Sequence, residues 1–312
     1  MRIVFMGTPE FAASILTELV QQHEVICVYT RADKPRKRGR ALVASPVKDV
    51  ALAYDINVRT PHVLDAAEID FLQRLQPEAI VVAAFGKILP QEIIDIPKFG
   101  CLNVHASLLP RFRGAAPIER AILAGDAQTG VSIMKMEAGL DTGPYSIVRA
   151  IDIVDQDYET LSGELADRGA TALLTALEHA THGALKWKTQ DESRVTYAAK
   201  IARAELSLDP HVSAEINVRR VRASSEAHPA RLILAQRAVT ALAARVVPDV
   251  EIDIEPGEMR YIKRKMLLGC SDGTLEITML KPDGKRAMTA EAFAAGIQDI
   301  KHKTLAWATW SV

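Results

Sequence analysis

Cysteine is scarce in this chain. Cys27, Cys101 and Cys270 are the three cysteines among 312 residues, and they are odd in number and far apart. No two of them have the C-x-x-C spacing of zinc or dithiol sites, so the sequence predicts neither a disulfide framework nor a metal site. Unpaired cysteines fit a reducing compartment, and we expect a cytoplasmic protein without a metal.

Long apolar runs are also missing. The opening segment, MRIVFMG, is too short in its apolar part for a signal peptide, and no stretch reaches the roughly 18 apolar residues of a membrane-spanning helix. We therefore expect a protein that is neither exported nor membrane-spanning. The net charge of −1 gives no overall attraction to nucleic acid.

Two familiar catalytic or binding fingerprints are absent. The first turn reads Gly7-Thr8-Pro9-Glu10 and lacks the spaced glycines of G-x-G-x-x-G, which argues against an NAD or FAD site. Ser107 is not framed by the G-x-S-x-G elbow of hydrolases, which argues against a serine nucleophile.

The first half of the chain alternates apolar strands with helical patterns. Residues 2–6, 24–29 and 79–84 read as buried strands, 46–54 as a short helix and 158–180 as a longer one. Such alternation predicts an α/β fold with a doubly wound, mostly parallel sheet covered on both faces.

The second half changes character. Residues 259–268 and 274–280 read as strands in hairpins, with a turn at Pro282-Asp283-Gly284-Lys285. The alanine-rich stretch 235–245 reads as a helix. A smaller, β-rich second domain is predicted.

Candidate catalytic residues lie in the segment Asn103-Val104-His105. Residues two apart in a strand point to the same side, so the Asn103 amide and the His105 imidazole share one face. Asp141 follows in a glycine-flanked loop and is the natural partner for His105. Together they suit acyl transfer to an amine, because the donors can stabilise an oxygen that becomes negative. From spacing alone, an asparagine and a histidine in a strand are more often polar groups satisfied within a core than catalysts.

Several runs of the sequence carry a resemblance to a known family. The segment GCLNVHASLLPRFRGAAPIERAILAGDAQTGVSIMKMEAGLDTGP resembles the signature of the folate-dependent formyltransferases, most closely those acting on methionyl-tRNA. MRIVFMGTPEFAASIL, DKPRKRGRALVASPVK, AAFGKILP, QDESRVTYAAKI and KPDGKRAMTAEAFAAG extend the likeness to nearly the full length.

The resemblance implies a Rossmann-like formyltransferase domain over 1–189, a linker over 190–204 and a small OB-like β-barrel over 205–312 that supports tRNA. It implies that 10-formyltetrahydrofolate donates a formyl group to the amine of methionyl-initiator tRNA by direct attack, with Asn103, His105 and Asp141 as catalytic residues. The residues it implies for binding folate are Ser107, Leu108, Leu109, Pro110, Phe85, Gly86, Leu89, Glu137 and Leu140.

A basic run supplies the tRNA contact that the resemblance implies. Arg36, Lys37, Arg38 and Arg40 would bind the acceptor end and its phosphates. Without the resemblance, the run reads as a solvated charge cluster. Residues 222–230 depart from the family's pattern, which puts the contribution of that segment to tRNA binding in doubt.

Two other functions share many of these residues. A formyltransferase acting on a small amine, an amino sugar or a purine precursor, would use the same Asn103, His105 and Asp141 but would not need the basic run. A module that binds folate or tRNA without chemistry would not need the catalytic residues. We expect an enzyme that acts as a monomer.

Overall fold

The computed structural model describes residues 1–35, 42–248, 254–298, 300 and 303–310. The chain divides into two compact units. The first comprises Met1–Pro117, Gln128–Asp152 and Leu161–Ala199, and the second comprises Ile118–Ala127, Ile153–Thr160 and Lys200–Val312. The sequence predicts a linker over 190–204, and residues 190–199 of it belong to the first unit. The domain limits taken from the sequence stay a prediction.

A seven-stranded sheet forms the centre of the first unit. Its strands are β1 (Arg2–Gly7), β2 (Glu24–Tyr29), β5 (Val58–Arg59), β6 (Ala79–Ala83), β7 (Cys101–His105), β9 (Gln128–Lys135) and β10 (Tyr145–Asp152). Their order is β10-β9-β7-β6-β1-β2-β5, and β1, β2, β5, β6 and β7 are mutually parallel. β9 is antiparallel to both of its neighbours. The predicted doubly wound, mostly parallel sheet is confirmed.

Two short two-stranded sheets accompany the central one. β3 (Lys34–Pro35) pairs with β4 (Leu42–Val43), and β8 (Arg113–Gly114) pairs in parallel with β11 (Tyr197–Ala198). The second pair ties residues just after the candidate site strand to residues far along the chain.

Within the described residues, six α-helices connect these strands: α1 (Glu10–Val20), α2 (Pro46–Ala53), α3 (Ala66–Leu75), α4 (Gln91–Ile94), α5 (Pro117–Ala124) and α6 (Tyr158–Thr181). α2 begins where the sequence placed it, because Ser45 accepts a hydrogen bond from the Lys48 amide and Pro46 suits the first helical position. α6 approaches β7 closely at Gly169, where a Cβ would lie 2.8 Å from the Val104 side chain. Helix α6 therefore packs closely against β7 at this point.

The second unit is built around a closed antiparallel barrel. Its elements are α7 (Ala214–Arg222), β12 (Arg231–Leu234), β13 (Arg237–Val247), β14 (Glu258–Ile262), β15 (Lys265–Gly269), β16 (Thr274–Pro282), β17 (Met288–Thr289), α8 (Ala290–Ala295) and β18 (Leu305–Thr309). The strand order β13-β12-β18-β14-β15-β16 closes on itself because β13 also pairs with β16. The predicted small β-barrel is confirmed, as is the turn at Pro282, whose carbonyl accepts a hydrogen bond from the Lys285 amide.

The helix predicted over 235–245 is wrong, since most of that stretch is strand β13. Ala235 and Gln236 have φ values of 48° and 62° and form a two-residue turn that joins Leu234 to its partner Arg237. β13 then pairs with β12 on one side and with β16 on the other. Alanine is a strong helix former, but helix propensity amounts to only a fraction of a kcal/mol per residue, and this tertiary pairing overrides it.

The three cysteines are buried and unpaired. Burial raises the pKa of the Cys27 and Cys101 thiols to about 12 and that of the Cys270 thiol to about 11. Among the residues that the structure describes, no helix combines the length and apolar character needed to cross a bilayer.

Candidate active site

Strand β7 sets the first two candidate residues. Leu102 and Val104 are buried in the core, while Asn103 and His105 project to the other side of the strand. Asn103 lies opposite Val82 of β6, and β9 flanks β7 on its other edge. The positions of both side chains are thus fixed by a strand that is paired on both sides.

Asp141 is the residue on which the other polar groups converge. Its Oδ1 accepts a hydrogen bond from Asn103 Nδ2 at 3.4 Å, and its Oδ2 accepts one from the Gly114 amide at 2.8 Å. His105 Nδ1 lies 3.7 Å from the same Oδ2. The structure therefore brings Asn103, His105 and Asp141 together, as the sequence predicted, around a single carboxylate.

The loop that carries Asp141 has an unusual backbone. Asp141 has a φ of 50°, which is uncommon for a residue with a side chain. Two residues later only glycine fits, because a Cβ on Gly143 would lie 1.8 Å from the Lys135 carbonyl oxygen. The close return of this loop to β9 directs the Asp141 carboxylate toward β7.

The second nitrogen of His105 is also engaged. Nε2 lies 2.9 Å from the carbonyl oxygen of Phe112, and the ring is 5% exposed. A carbonyl oxygen only accepts hydrogen bonds, so Nε2 carries the proton in this contact. Nδ1 is then the nitrogen that faces Asp141.

Ser107 has contacts that do not suit a nucleophile. Its hydroxyl donates to the Arg111 carbonyl at 2.6 Å, and its own carbonyl accepts from Ser132 Oγ at 2.8 Å. The neighbours of both His105 nitrogens are the Phe112 carbonyl and Asp141, so no base is placed against the Ser107 hydroxyl. Ser107 instead shapes the turn that leads to Leu108, Leu109 and Pro110, which contains a cis Leu109–Pro110 bond.

The other residues that the resemblance assigned to folate binding lie in two loops. Phe85 and Leu89 are buried in an apolar cluster with Ile93 and Met136, while Gly86 is exposed. Glu137 and Leu140 are exposed in the loop that leads to Asp141. Their contact with folate stays a prediction.

The predicted tRNA-binding residues Arg36, Lys37, Arg38 and Arg40 lie outside the residues that the structure describes. Two basic residues near this run are described: Arg31 is half-buried and Lys34 is exposed. The role of the basic run stays a prediction.

Sequence reasoning missed two positions that contact the candidate catalytic residues, Phe112 and Gly114. Both act through backbone atoms, a carbonyl on His105 and an amide on Asp141, so their side chains give no chemical signal. Gly114 has a φ of 126°, and a Cβ there would lie 2.7 Å from the Ala198 carbonyl oxygen. A glycine directly after the Arg-Phe-Arg run was the one available clue.

Comparisons with known proteins cover nearly the whole chain. Residues 1–177 match the family model described as formyl transferase, and residues 200–298 match the one described as formyl transferase, C-terminal domain. A methionyl-tRNA formyltransferase of Thiobacillus denitrificans is 44% identical over 300 residues, which cover 95% of this chain and 96% of the relative. The chain belongs to the methionyl-tRNA formyltransferase family. The counterpart from Halorhodospira halophila is 43% identical, with 95% of this chain and 96% of the relative covered.

Solved structures share the fold of this methionyl-tRNA formyltransferase family member at much lower identity. HypX from Aquifex aeolicus, solved in complex with tetrahydrofolic acid, has a TM-score of 0.68 at 19% identity and covers 97% of this chain and 48% of that one. An N-formyltransferase from Helicobacter canadensis, solved in complex with folinic acid and dTDP-3-aminofucose, has a TM-score of 0.66 at 15% identity and covers 88% of this chain and 98% of that one. Membership of the family makes the chain an enzyme, a formyltransferase, rather than a module that only binds.

Proposed function

We propose that this enzyme transfers the formyl group of 10-formyltetrahydrofolate to the amino group of methionyl-initiator tRNA. The observation that carries the proposal is the convergence of Asn103, His105 and the Gly114 amide on the Asp141 carboxylate. Relatives that match over nearly the whole chain and are named methionyl-tRNA formyltransferase support the choice of acceptor. We expect the reaction, as a step of translation, to take place in the cytoplasm and the enzyme to act as a monomer.

The chemistry follows from where charge develops. The methionine amine attacks the formyl carbon, a new C–N bond forms, and the carbonyl electrons move to the formyl oxygen. One N–H of the Asn103 amide is directed at Asp141, and we assign its second N–H to that oxygen. A donor of this kind contributes about 3–4 kcal/mol to the stability of the intermediate.

Collapse of the intermediate breaks the bond between the formyl carbon and N10 of the folate. The amine must lose a proton and N10 must gain one, so the proton passes from one nitrogen to the other. His105 Nδ1 lies beside Asp141 and is the group we assign to this relay. Asp141 lies against the imidazole and orients it for the transfer.

The folate is expected between the two loops that the resemblance singled out. Ile88 and Leu140 are 87% and 62% exposed, and a flat pterin ring could cover such apolar side chains. We therefore keep Phe85, Gly86, Leu89, Glu137, Leu140 and the turn Ser107–Pro110 as the proposed folate contacts. The tetrahydrofolate complex of the structural neighbour HypX agrees with a folate donor.

The basic run is proposed to hold the tRNA. Arg38 would reach the acceptor end, while Arg36, Lys37 and Arg40 would neutralise phosphates. The barrel of the second unit would support the tRNA.

A formyl-transfer assay tests the proposal. Purified enzyme and 10-formyltetrahydrofolate are offered charged initiator tRNA, elongator methionyl-tRNA and a nucleotide-linked amino sugar. We expect formylation of the initiator tRNA and little reaction with the other two. Turnover of the amino sugar without turnover of methionyl-tRNA would contradict the proposal and support a small-molecule enzyme.

The variant Arg38→Ala, measured in the same assay, tests the proposed contact with tRNA. Loss of the Arg38 contact with the acceptor end should raise the KM for tRNA about tenfold at low salt and less at higher salt, where ions already screen that contact, with kcat little changed. Arg74→Ala is the matched control, because Arg74 is an exposed arginine that pairs with Asp70 on α3. Equal KM values for the two variants would remove Arg38 from the tRNA contact.

A further inference from the structure

A buried glutamine lies against the loop that carries Asp141. Gln190 is 5% exposed, and its Nε2 donates hydrogen bonds to the carbonyl oxygens of Asp141 and Gly143, both at 2.7 Å. Both N–H bonds of one amide are thus spent on the backbone of a single short loop. The contact spans 49 residues of sequence, so it is made only in the folded chain.

Arg113 fixes the direction in which this amide faces. Its Nε donates to Gln190 Oε1 at 2.9 Å, and its guanidinium forms a two-pronged contact with Glu192 at 2.6 and 3.2 Å. Arginine only donates hydrogen bonds, so it selects the oxygen end of the amide and turns the NH₂ group toward the loop. Arg113 is itself 1% exposed and has little freedom to move.

Asp141 is therefore held at two points by adjacent residues. Gly114 donates its amide to the Asp141 carboxylate, and Arg113 holds the glutamine that binds the Asp141 carbonyl. The φ of 50° at Asp141 lies in the left-handed region, which aspartate enters more readily than most residues with a side chain but still uncommonly, so contacts from its surroundings help to constrain it. The paired contacts of Gln190 are such a constraint.

We propose that Gln190 is a positioning residue, which sets the backbone of the Asp141 loop so that the carboxylate meets His105 and Asn103. The inference rests on the proposed function of Asp141. Gln190 is uncharged and touches none of the reacting groups, so it acts through loop geometry rather than by moving protons.

Gln190→Leu and Gln190→Glu test the proposal. Leucine removes both donors at similar size, while glutamate keeps an acceptor for Arg113 but sets a carboxylate against two carbonyl oxygens. We expect kcat to fall about 10- to 100-fold in both, with the KM for tRNA within about twofold of wild type, because misplacement of a catalytic group affects the chemical step. The matched control is Gln128→Leu, which removes an exposed glutamine amide that binds Asp152 and should leave kcat unchanged.

A double-mutant comparison separates positioning from a merely structural role. If Gln190 acts through Asp141, Gln190→Leu should lower kcat much less in an Asp141→Asn background than in wild type. Equal losses in the two backgrounds, or kcat within twofold of wild type in both Gln190 variants, would overturn the proposal. Failure of both variants to fold would assign Gln190 to stability alone and overturn it as well.

An NMR measurement does not depend on turnover. The imidazole resonances of His105, assigned by their loss in His105→Gln, should change in chemical shift in Gln190→Leu, because the Asp141 carboxylate has moved, and should stay in place in the control Gln128→Leu. Unchanged His105 chemical shifts in Gln190→Leu would contradict the proposal even if the enzyme formylated none of the offered acceptors. Absence of formyl transfer in wild type would instead contradict the proposed function and leave this readout intact.

Discussion

The two units of the molecule both bury polar side chains, but they use them differently. In the first unit, Asn103, His105 and the Gly114 amide all meet at Asp141, and Gln190 holds the backbone of that residue. These contacts join distant parts of the chain at one carboxylate. The Asn103 amide has a second N–H besides the one directed at Asp141, and this is the donor that the proposed mechanism uses.

In the second unit the buried polar groups make separate contacts. Asn217 accepts from the Asp209 amide at 3.0 Å and donates to the Asp209 carbonyl at 2.9 Å, while Trp307 donates to the Gly269 carbonyl at 3.0 Å. Arg245 pairs with Glu276 across neighbouring strands. These contacts involve separate groups and do not meet at one carboxylate. We expect convergence, rather than burial, to mark the proposed active site.

Asp141→Asn is the change with the largest expected effect. Asparagine keeps the shape and can still accept the Gly114 amide, but the charge beside His105 is lost. We expect kcat/KM for formyl transfer to fall at least about 10²-fold, as is usual when an acid–base group loses its partner. Thermal unfolding should stay close to wild type. Activity within about threefold of wild type would show that the convergence does not make the site.

Asn217→Ala should have the opposite signature. Removing this fully buried amide leaves the Asp209 amide and carbonyl without their partner, which costs about 1–3 kcal/mol of stability. Denaturant unfolding of the full chain measures the loss, and kcat at saturating tRNA should be unchanged.

The control for this variant lies on the same helix. Glu215→Ala removes an exposed carboxylate that pairs with Arg219, and should cost less than about 0.5 kcal/mol. A large fall in kcat for Asn217→Ala would mean that the buried contacts of the second unit also serve the reaction.

Glu119→Gln should produce the smallest effect, and one that depends on pH. Glu119 lies on α5 in a segment of the second unit and is 8% exposed; burial raises the pKa of its carboxyl, and the nearby charges of His228 and Arg120 lower it in part. A raised pKa in the folded state means that stability is full below the unfolded pKa and declines as pH rises through the folded one. Glutamine stays uncharged throughout.

The melting temperature of Glu119→Gln should therefore exceed that of wild type by about 1–3 °C at pH 7 to 8, with the difference shrinking toward pH 4. Differential scanning fluorimetry across this range measures it. A difference that does not vary with pH would show that the substitution acts through packing instead of through the buried charge.

The site residues on strand β7 could be predicted from the sequence. Those in the loops could be predicted only in part. Asn103 and His105 share a face because a strand has a period of two, a rule that needs no tertiary information. Asp141 was anticipated as an acid in a glycine-flanked loop, but its φ of 50° follows from contacts that the sequence does not display. Phe112 and Gly114 contribute a carbonyl and an amide, which every residue possesses, so residue type could not single them out.

The fold shows the same division. Apolar strands such as 79–83 were evident because burial on both faces leaves a continuous apolar run. The stretch 235–245 was misread because alanine suits a helix locally, while its actual partners β12 and β16 belong to other parts of the chain. Gln190 could not be linked to the site for the same reason, because the loop that it contacts lies 49 residues away in the sequence.

The closure of the barrel has a consequence for behaviour at high concentration. In the part of the barrel that the structure describes, strand β13 is hydrogen-bonded along both edges, to β12 and to β16, so the ring of six strands has no open edge where it closes. An open edge is a template on which a second chain can add a strand and begin to aggregate. β17, which extends the sheet beyond β16, is two residues long and too short to serve as such a template. A domain of this kind can be present in quantity without its strands pairing between molecules.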